Sequence, residues 1–116
     1  MHSNSLILAL VAPATVLAQL NSLAVAAGLK YFGTAVDERH TTDDASYIAI
    51  VNNVQEFGQV VPENGQKWQN TEPSQNSFSY TQGDIVPNVA KKNGQILRCH
   101  TLVWYSQLPN WGESSI

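Results

Sequence analysis

The 116-residue chain carries six Lys and Arg against nine Asp and Glu, for a formal net charge of −3, and 43% of it is apolar. This is the composition of an ordinary globular protein, at a length that allows one small domain. Its cations, Lys30, Arg39, Lys67, Lys91, Lys92 and Arg98, are scattered. That excludes the basic stripe of a nucleic-acid binder and suits an uncharged ligand.

Residues 1–18 read as a signal peptide. Leu6 to Ala12 is an apolar core of the right length, Pro13 breaks it, and Val16-Leu17-Ala18 offers a small-residue cleavage pattern, so cleavage is expected after Ala18. The n-region has only the α-amino group and His2 where Lys or Arg is usual. A membrane span is the competing reading, but the stretch is shorter than the ~20 residues a span requires. Secretion follows, with residues 19–116 as the mature part.

Tyr31 to Val36 is a β-rich run without charge, ending at Asp37, and predicts strand one. Thr41-Thr42-Asp43-Asp44 supplies cap residues, after which Tyr47, Ile50, Val51, Val54 and Phe57 recur at helical spacing and predict helix one, closed by Gly58. Gln59 to Pro62 is strand two, and the polar residues 69–79 form a loop. Helix two starts near Thr81-Gln82-Gly83-Asp84, has Ile85, Val89 and Ala90 on its apolar side and stops at Asn93-Gly94. Pro87 predicts a later start or a kink, since an interior proline costs ~3 kcal/mol. Gln95 to Thr101 is strand three and Leu102 to Trp111 the loop after it. The order β-α-β-α-β implies a parallel sheet with right-handed crossovers.

Two polar and aromatic clusters follow the predicted strand ends. Glu63, Asn64, Lys67 and Trp68 come after strand two, and His100, Trp104 and Gln107 after strand three. In α/β barrels the loops at that edge build the active site. Amides and charges match a belt of sugar hydroxyls, and aromatic faces match the apolar face of a pyranose. Taken singly, His100 and Trp104 are more often core residues, and Glu63 with Lys67 reads equally well as a surface ion pair worth under about 1 kcal/mol. Trp68 is as readily a packing residue beneath the loop, and Trp111 is no clearer.

Five ordered motifs carry a resemblance: Lys30-Tyr31-Phe32-Gly33-Thr34-Ala35, Pro62-Glu63-Asn64, Lys67-Trp68, Thr71-Glu72-Pro73-Ser74-Gln75 and His100-Thr101-Leu102-Val103-Trp104. Together they resemble the start of a glycoside hydrolase family 10 endo-1,4-β-xylanase, over roughly residues 20–116. The resemblance implies the first three units of a (β/α)8 TIM barrel, a fold that needs ~250 residues. It also implies retaining hydrolysis of xylan, with xylan or xylo-oligosaccharide as partner, and no metal or organic cofactor. Glu63, Asn64 and Lys67, assisted by Gln107, would bind the sugar two places from the scissile bond. His100 and Trp104 would border the reacting sugar.

Retention uses two carboxyl groups ~5.5 Å apart. The family places them after strands four and seven, so both are expected to be missing here. Glu72 lies in a different family motif and is not read as the nucleophile. The 116 residues alone are therefore expected to be inactive, as a piece of a longer enzyme. The alternative is a non-catalytic remnant that binds xylo-oligosaccharide or self-associates through an open sheet edge.

Three positions depart from the family pattern. Tyr105 stands for a second His, Cys99 for a Gly, and Gly65-Gln66 for a Ser-Met pair. Tyr105 cannot carry a proton near neutral pH as a His can. Cys99, the only cysteine, has either a partner elsewhere or a place in the core; its alternation with Arg98 and His100 favours burial.

Overall fold

The computed structural model describes residues 19–113, so the signal peptide expected at 1–18 lies outside the described residues. A helix not anticipated from the sequence, α1 (Leu20–Ala26), comes first. Asn21 ties it down, its Oδ1 accepting from Phe32 N at 2.8 Å and its Nδ2 donating to Val54 O at 2.9 Å.

The core is a parallel sheet in the order β1 (Gly33–Val36), β2 (Gln59–Pro62), β3 (Ile96–Leu97). Thr34 and Leu97 both pair with Val60, so β2 is the central strand. Side chains alternate along a strand, which puts Thr34, Val36, Val60, Pro62 and Leu97 on one face. There Val36 and Val60 pack with Val51, Val86 and Ala90, flanked by Tyr47, Ile48, Val89 and Leu97. The opposite face carries Gly33, Ala35, Gln59, Val61 and Ile96, and Ile96 is 50% exposed.

Helix one is shorter than its periodicity predicts. After one turn, α2 (His40–Asp43), Asp44 caps α3 (Ala45–Val51), its Oδ1 accepting from Ser46 N and Tyr47 N at 2.9 Å each. The helix stops at Val51 because Asn53 diverts the chain: its side chain accepts from Gln55 N and its carbonyl from Glu56 N and Phe57 N. Phe57 then stacks on Phe32, and Ile50 and Val54 are left exposed. Gln95, buried, holds this turn by donating to both Val51 O and Phe57 O at 2.8 Å.

The loop expected at 69–79 opens with a single turn, α4 (Trp68–Thr71). Helix two is α5 (Ile85–Asn93), with Pro87 at its third residue. The N–H groups of a first turn have no intrahelical acceptor, so proline there removes nothing and no kink is needed. Gly94 closes the helix at φ +68°, and its N–H and that of Gln95 both donate to Ala90 O. Strand three spans two residues of the seven predicted, and only Arg98 N extends its pairing, to Val60 O at 3.0 Å. A final turn, α6 (Asn110–Glu113), falls partly in what was expected to be loop.

The buried face predicts a sharp contrast. Val60→Ala, at a fully buried position, should lower unfolding free energy by roughly 2 kcal/mol. Ile50→Ala, at a residue 58% exposed, should change it by less than about 0.5 kcal/mol. Urea unfolding followed by circular dichroism would measure both, and equal costs would mean that the sheet does not pack through this face.

Candidate functional site

Parallel pairing delivers the ends of all three strands to one edge, and the chain leaving each strand there is polar. After β2 the backbone turns at Asn64, whose carbonyl accepts from Lys67 N at 3.0 Å and Asn70 Nδ2 at 2.8 Å. This turn swings the Lys67 side chain back over Asn64. Lys67 Nζ donates to Asn64 Oδ1 at 3.0 Å and to Gln107 Oε1, while Gln107 Nε2 donates to Asn64 Oδ1 at 3.1 Å. The result is a closed ring of three side chains drawn from two loops.

The ring has a fixed sense. An ammonium group only donates, so Lys67 dictates that both amides present oxygen to it. Gln107 must then direct its N–H₂ at Asn64 Oδ1. Two of the three ammonium protons are used, and Asn64 Nδ2 has no protein partner among the described residues. Lys67 is only 8% exposed, and the Trp104 ring centroid lies 5.7 Å from its Nζ, a cation–π contact. Trp104 is partly exposed, with Tyr105 tilted against it at 4.6 Å between centroids.

Four of the six expected sugar-site residues therefore come together: Asn64, Lys67, Trp104 and Gln107. Glu63, the residue before Asn64, is exposed with its backbone N–H bonded to Val36 O, and it makes no ion pair with Lys67. The surface-pair reading fails because the amides of Asn64 and Gln107 take the ammonium. His100 is exposed in a neighbouring cleft of about 650 Å³ lined in part by Gln66, Tyr80 and Leu102, and its backbone N–H donates to Gln66 Oε1 at 3.2 Å.

The burial expected for Cys99 is wrong, for it is exposed and lines the same cleft. Alternation holds only within a paired strand, and β3 ends at Leu97. Trp68 is a packing residue, edge-on to Trp111 at 5.3 Å, with its indole N–H bonded to Glu72 Oε2 at 2.9 Å. Glu72 also accepts from Asn76 N through Oε1 and from Trp111 Nε1 through its backbone carbonyl. Its carboxylate braces the loop through the Trp68 indole and the Asn76 N–H.

Two residues escaped the sequence reading. Glu38, 3% exposed, accepts from Gly65 N at 2.6 Å and from Asn64 N at 3.2 and 3.3 Å. An acid two residues beyond a strand, at the edge where the site is built, was the only signal for it. Gln66 spans two loops, accepting from His100 N and donating to Gly83 O. Gly65 is itself required here, since a Cβ would come within 2.5 Å of Gln82 O and 2.9 Å of Glu38 Oε1.

Residues 19–115 match the profile of glycosyl hydrolase family 10. The chain belongs to that family. Endo-1,4-beta-xylanase 1 of Humicola insolens is 58% identical over 106 residues, 91% of this chain and 25% of that protein. Endo-1,4-beta-xylanase D of Talaromyces funiculosus is 51% identical over 107 residues, 92% of this chain and 26% of that protein. Among solved structures, the Penicillium canescens endo-1,4-beta-xylanase XylE superposes with a TM-score of 0.75 at 39% identity, covering 84% of this chain and 29% of the other. The family 10 xylanase of Bispora sp. MEY-1, solved with xylobiose, gives 0.72 at 38% identity, covering 81% of this chain and 28% of the other. The chain thus spans about a quarter of the length of the curated relatives it matches, and its three-stranded sheet is an N-terminal portion of the family 10 barrel, incomplete as a barrel.

The end of β1 also carries the electrostatic feature of this edge. Arg39 bonds Asp37 through its guanidinium, Nη2 to Oδ2 at 2.9 Å, and through its backbone N–H. Those two bonds hold the Asp37 carboxyl below its ordinary value near 3.8. A carboxyl lowered on folding adds stability that is fully present above its unfolded pKa and is lost as pH falls through the folded one. Wild type should therefore be more stable than Asp37→Asn at pH 6, with the gap closing as pH falls through the lowered pKa of the folded Asp37 carboxyl. Denaturant unfolding at a series of pH values would show it, and a gap independent of pH would mean that the pair does not act through charge.

Proposed function

We propose that this chain forms glycone-side sugar-binding elements of a secreted endo-1,4-β-xylanase, an enzyme that cleaves internal β-1,4 bonds of xylan with retention. The observation that carries this reading is the Asn64–Lys67–Gln107 ring beside Trp104. It offers an ammonium proton and an amide N–H₂ as donors and an indole face as apolar wall, with the exposed Glu63, adjacent to Asn64 in sequence, as the acceptor of this reading. A pyranose needs that combination. Membership of family 10 and the xylobiose bound to the Bispora relative support the same ligand class.

Glu63, Asn64, Lys67 and Gln107 take the hydroxyls of one sugar. His100 and Trp104 border the reacting sugar, Trp104 by its face and His100 by a hydrogen bond. Binding there contributes to rate where the contacts tighten toward the transition state. In the family pattern the proton donor and nucleophile follow strands four and seven, so neither is read among residues 19–113, where Glu38 and Glu72 accept from backbone N–H groups. The 116 residues alone bind xylo-oligosaccharide without cleaving it. No metal or organic cofactor takes part. The leader at 1–18 directs secretion, and among the described residues no helix is long and apolar enough to cross a membrane.

A second reading rests on the outer edge of β3, which among the described residues pairs with β2 alone and leaves Ile96 half exposed. Self-association through that edge would appear as concentration-dependent sedimentation. For the first reading, xylotriose titrated into the 116-residue chain should bind, and Lys67→Met should weaken binding about tenfold or more, one charged hydrogen bond lost. Release of reducing ends from xylan should be undetectable. Turnover by the purified chain would refute the assignment of the carboxyl pair, and absence of binding would refute the sugar site.

A further inference from the structure

We propose that Glu38 is a positioning residue for the sugar-binding turn, its buried carboxylate setting the backbone of Asn64 and Gly65 and thereby aiming the Asn64–Lys67–Gln107 ring. This rests on the reading of those three side chains as sugar ligands. Glu38 leaves the end of β1 on a rigid base, for its carbonyl accepts from Thr41 Oγ1 at 2.6 Å and the preceding Asp37 N–H donates to Tyr47 Oη at 2.9 Å. From there one oxygen meets Gly65 N at 2.6 Å and both meet Asn64 N at 3.2 and 3.3 Å. Two successive backbone N–H groups converging on one acid form a small anion-binding concavity. Bonds of this charge-assisted kind are stronger than neutral ones.

The turn has little else to hold that side of it. The Asn64 carbonyl and side chain face Lys67, Asn70 and Gln107, whereas its N–H and that of Gly65 are taken by Glu38 alone. Gly65 makes the approach possible, because a Cβ there would meet Glu38 Oε1 at 2.9 Å. Glu38 touches none of the ring side chains through a hydrogen bond, so it acts on sugar only through the backbone that carries Asn64. Without it, the buried Gly65 N–H has no acceptor and the turn relaxes toward one.

The test uses the full 116-residue chain, uniformly ¹⁵N-labelled, as wild type, Glu38→Ala and Glu38→Gln, with xylotriose as ligand. Expected for Glu38→Ala is about tenfold faster amide exchange at Gly65 and about tenfold weaker xylotriose binding. Exchange at Val60 and Val61 should stay unchanged. Glu38→Gln keeps one acceptor oxygen and should recover part of both losses. Wild-type binding and Gly65 exchange in a folded Glu38→Ala protein would overturn the proposal. So would equal acceleration at Val60 and Val61, which would make Glu38 a general support of the sheet. If Glu38→Ala does not fold, Glu38→Gln decides alone: intermediate losses at Gly65 and in affinity support the proposal, and none refute it. If the wild type itself fails to bind xylotriose, the sugar-site reading falls and takes the aiming role with it. The Gly65 exchange ratio then still separates that failure from one of the Glu38 clamp.

Discussion

The central position of β2 is the constraint on which the rest of the molecule depends. Val60 pairs with Thr34 on one side and Leu97 on the other, so three strands run parallel in one register and end at one edge. Parallel pairing requires a crossover between strands, and the crossovers supply Val51, Val86 and Ala90 to bury the same face on which Val60 lies. One strand of four residues thereby anchors the core and orders the loops. Because β2 continues directly into Glu63 and Asn64, the best-held strand is also the one that presents the polar ring.

The ring itself shows how a single donor-only group specifies an arrangement. An amide can present either of two ends, and two facing amides could settle in several combinations. Lys67 removes that freedom by presenting only protons, which forces oxygen from both Asn64 and Gln107. The nearly complete burial of its side chain has a cost that two amide oxygens and the Trp104 face offset. A surface ion pair with Glu63 would have left Lys67 mobile and solvated. Engagement by amides instead keeps Lys67 out of an ion pair with the exposed Glu63.

What the sequence made legible was set by the range of the forces involved. Strand two was readable to the residue, since Gln59 to Pro62 lies between a glycine and a polar turn and is β-branched at its centre. A cap within Thr41 to Asp44 was readable because a cap acts over three residues, and the structure makes it Asp44. Helix one was overextended because Val54 and Phe57 continue the helical period, yet Asn53 offers the backbone a local alternative that periodicity does not weigh. Cys99 escapes the alternation rule because only two of the seven residues of the predicted strand pair. Glu38 was invisible for a deeper reason: its partners lie 26 and 27 residues away, and only the parallel register of β1 and β2 brings them together. Motif spacing points to six candidate sugar-site residues, while the way four of them lock together follows from side-chain donors and acceptors.

The departure at Gly65-Gln66 gains meaning from that geometry. Where the family pattern has Ser-Met, this chain has a glycine whose missing side chain lets Glu38 and Gln82 close in, and an amide long enough to bond His100 N on one side and Gly83 O on the other. A serine at 65 would push against a backbone carbonyl, which cannot move aside as a flexible side chain can. A methionine at 66 could not bond the backbone beside His100. The two replacements therefore work as a pair. Gly65 leaves room for Glu38 and Gln82 against the turn, and Gln66 ties that turn to the loop carrying His100, so that the chain after one strand is joined to the chain after the next.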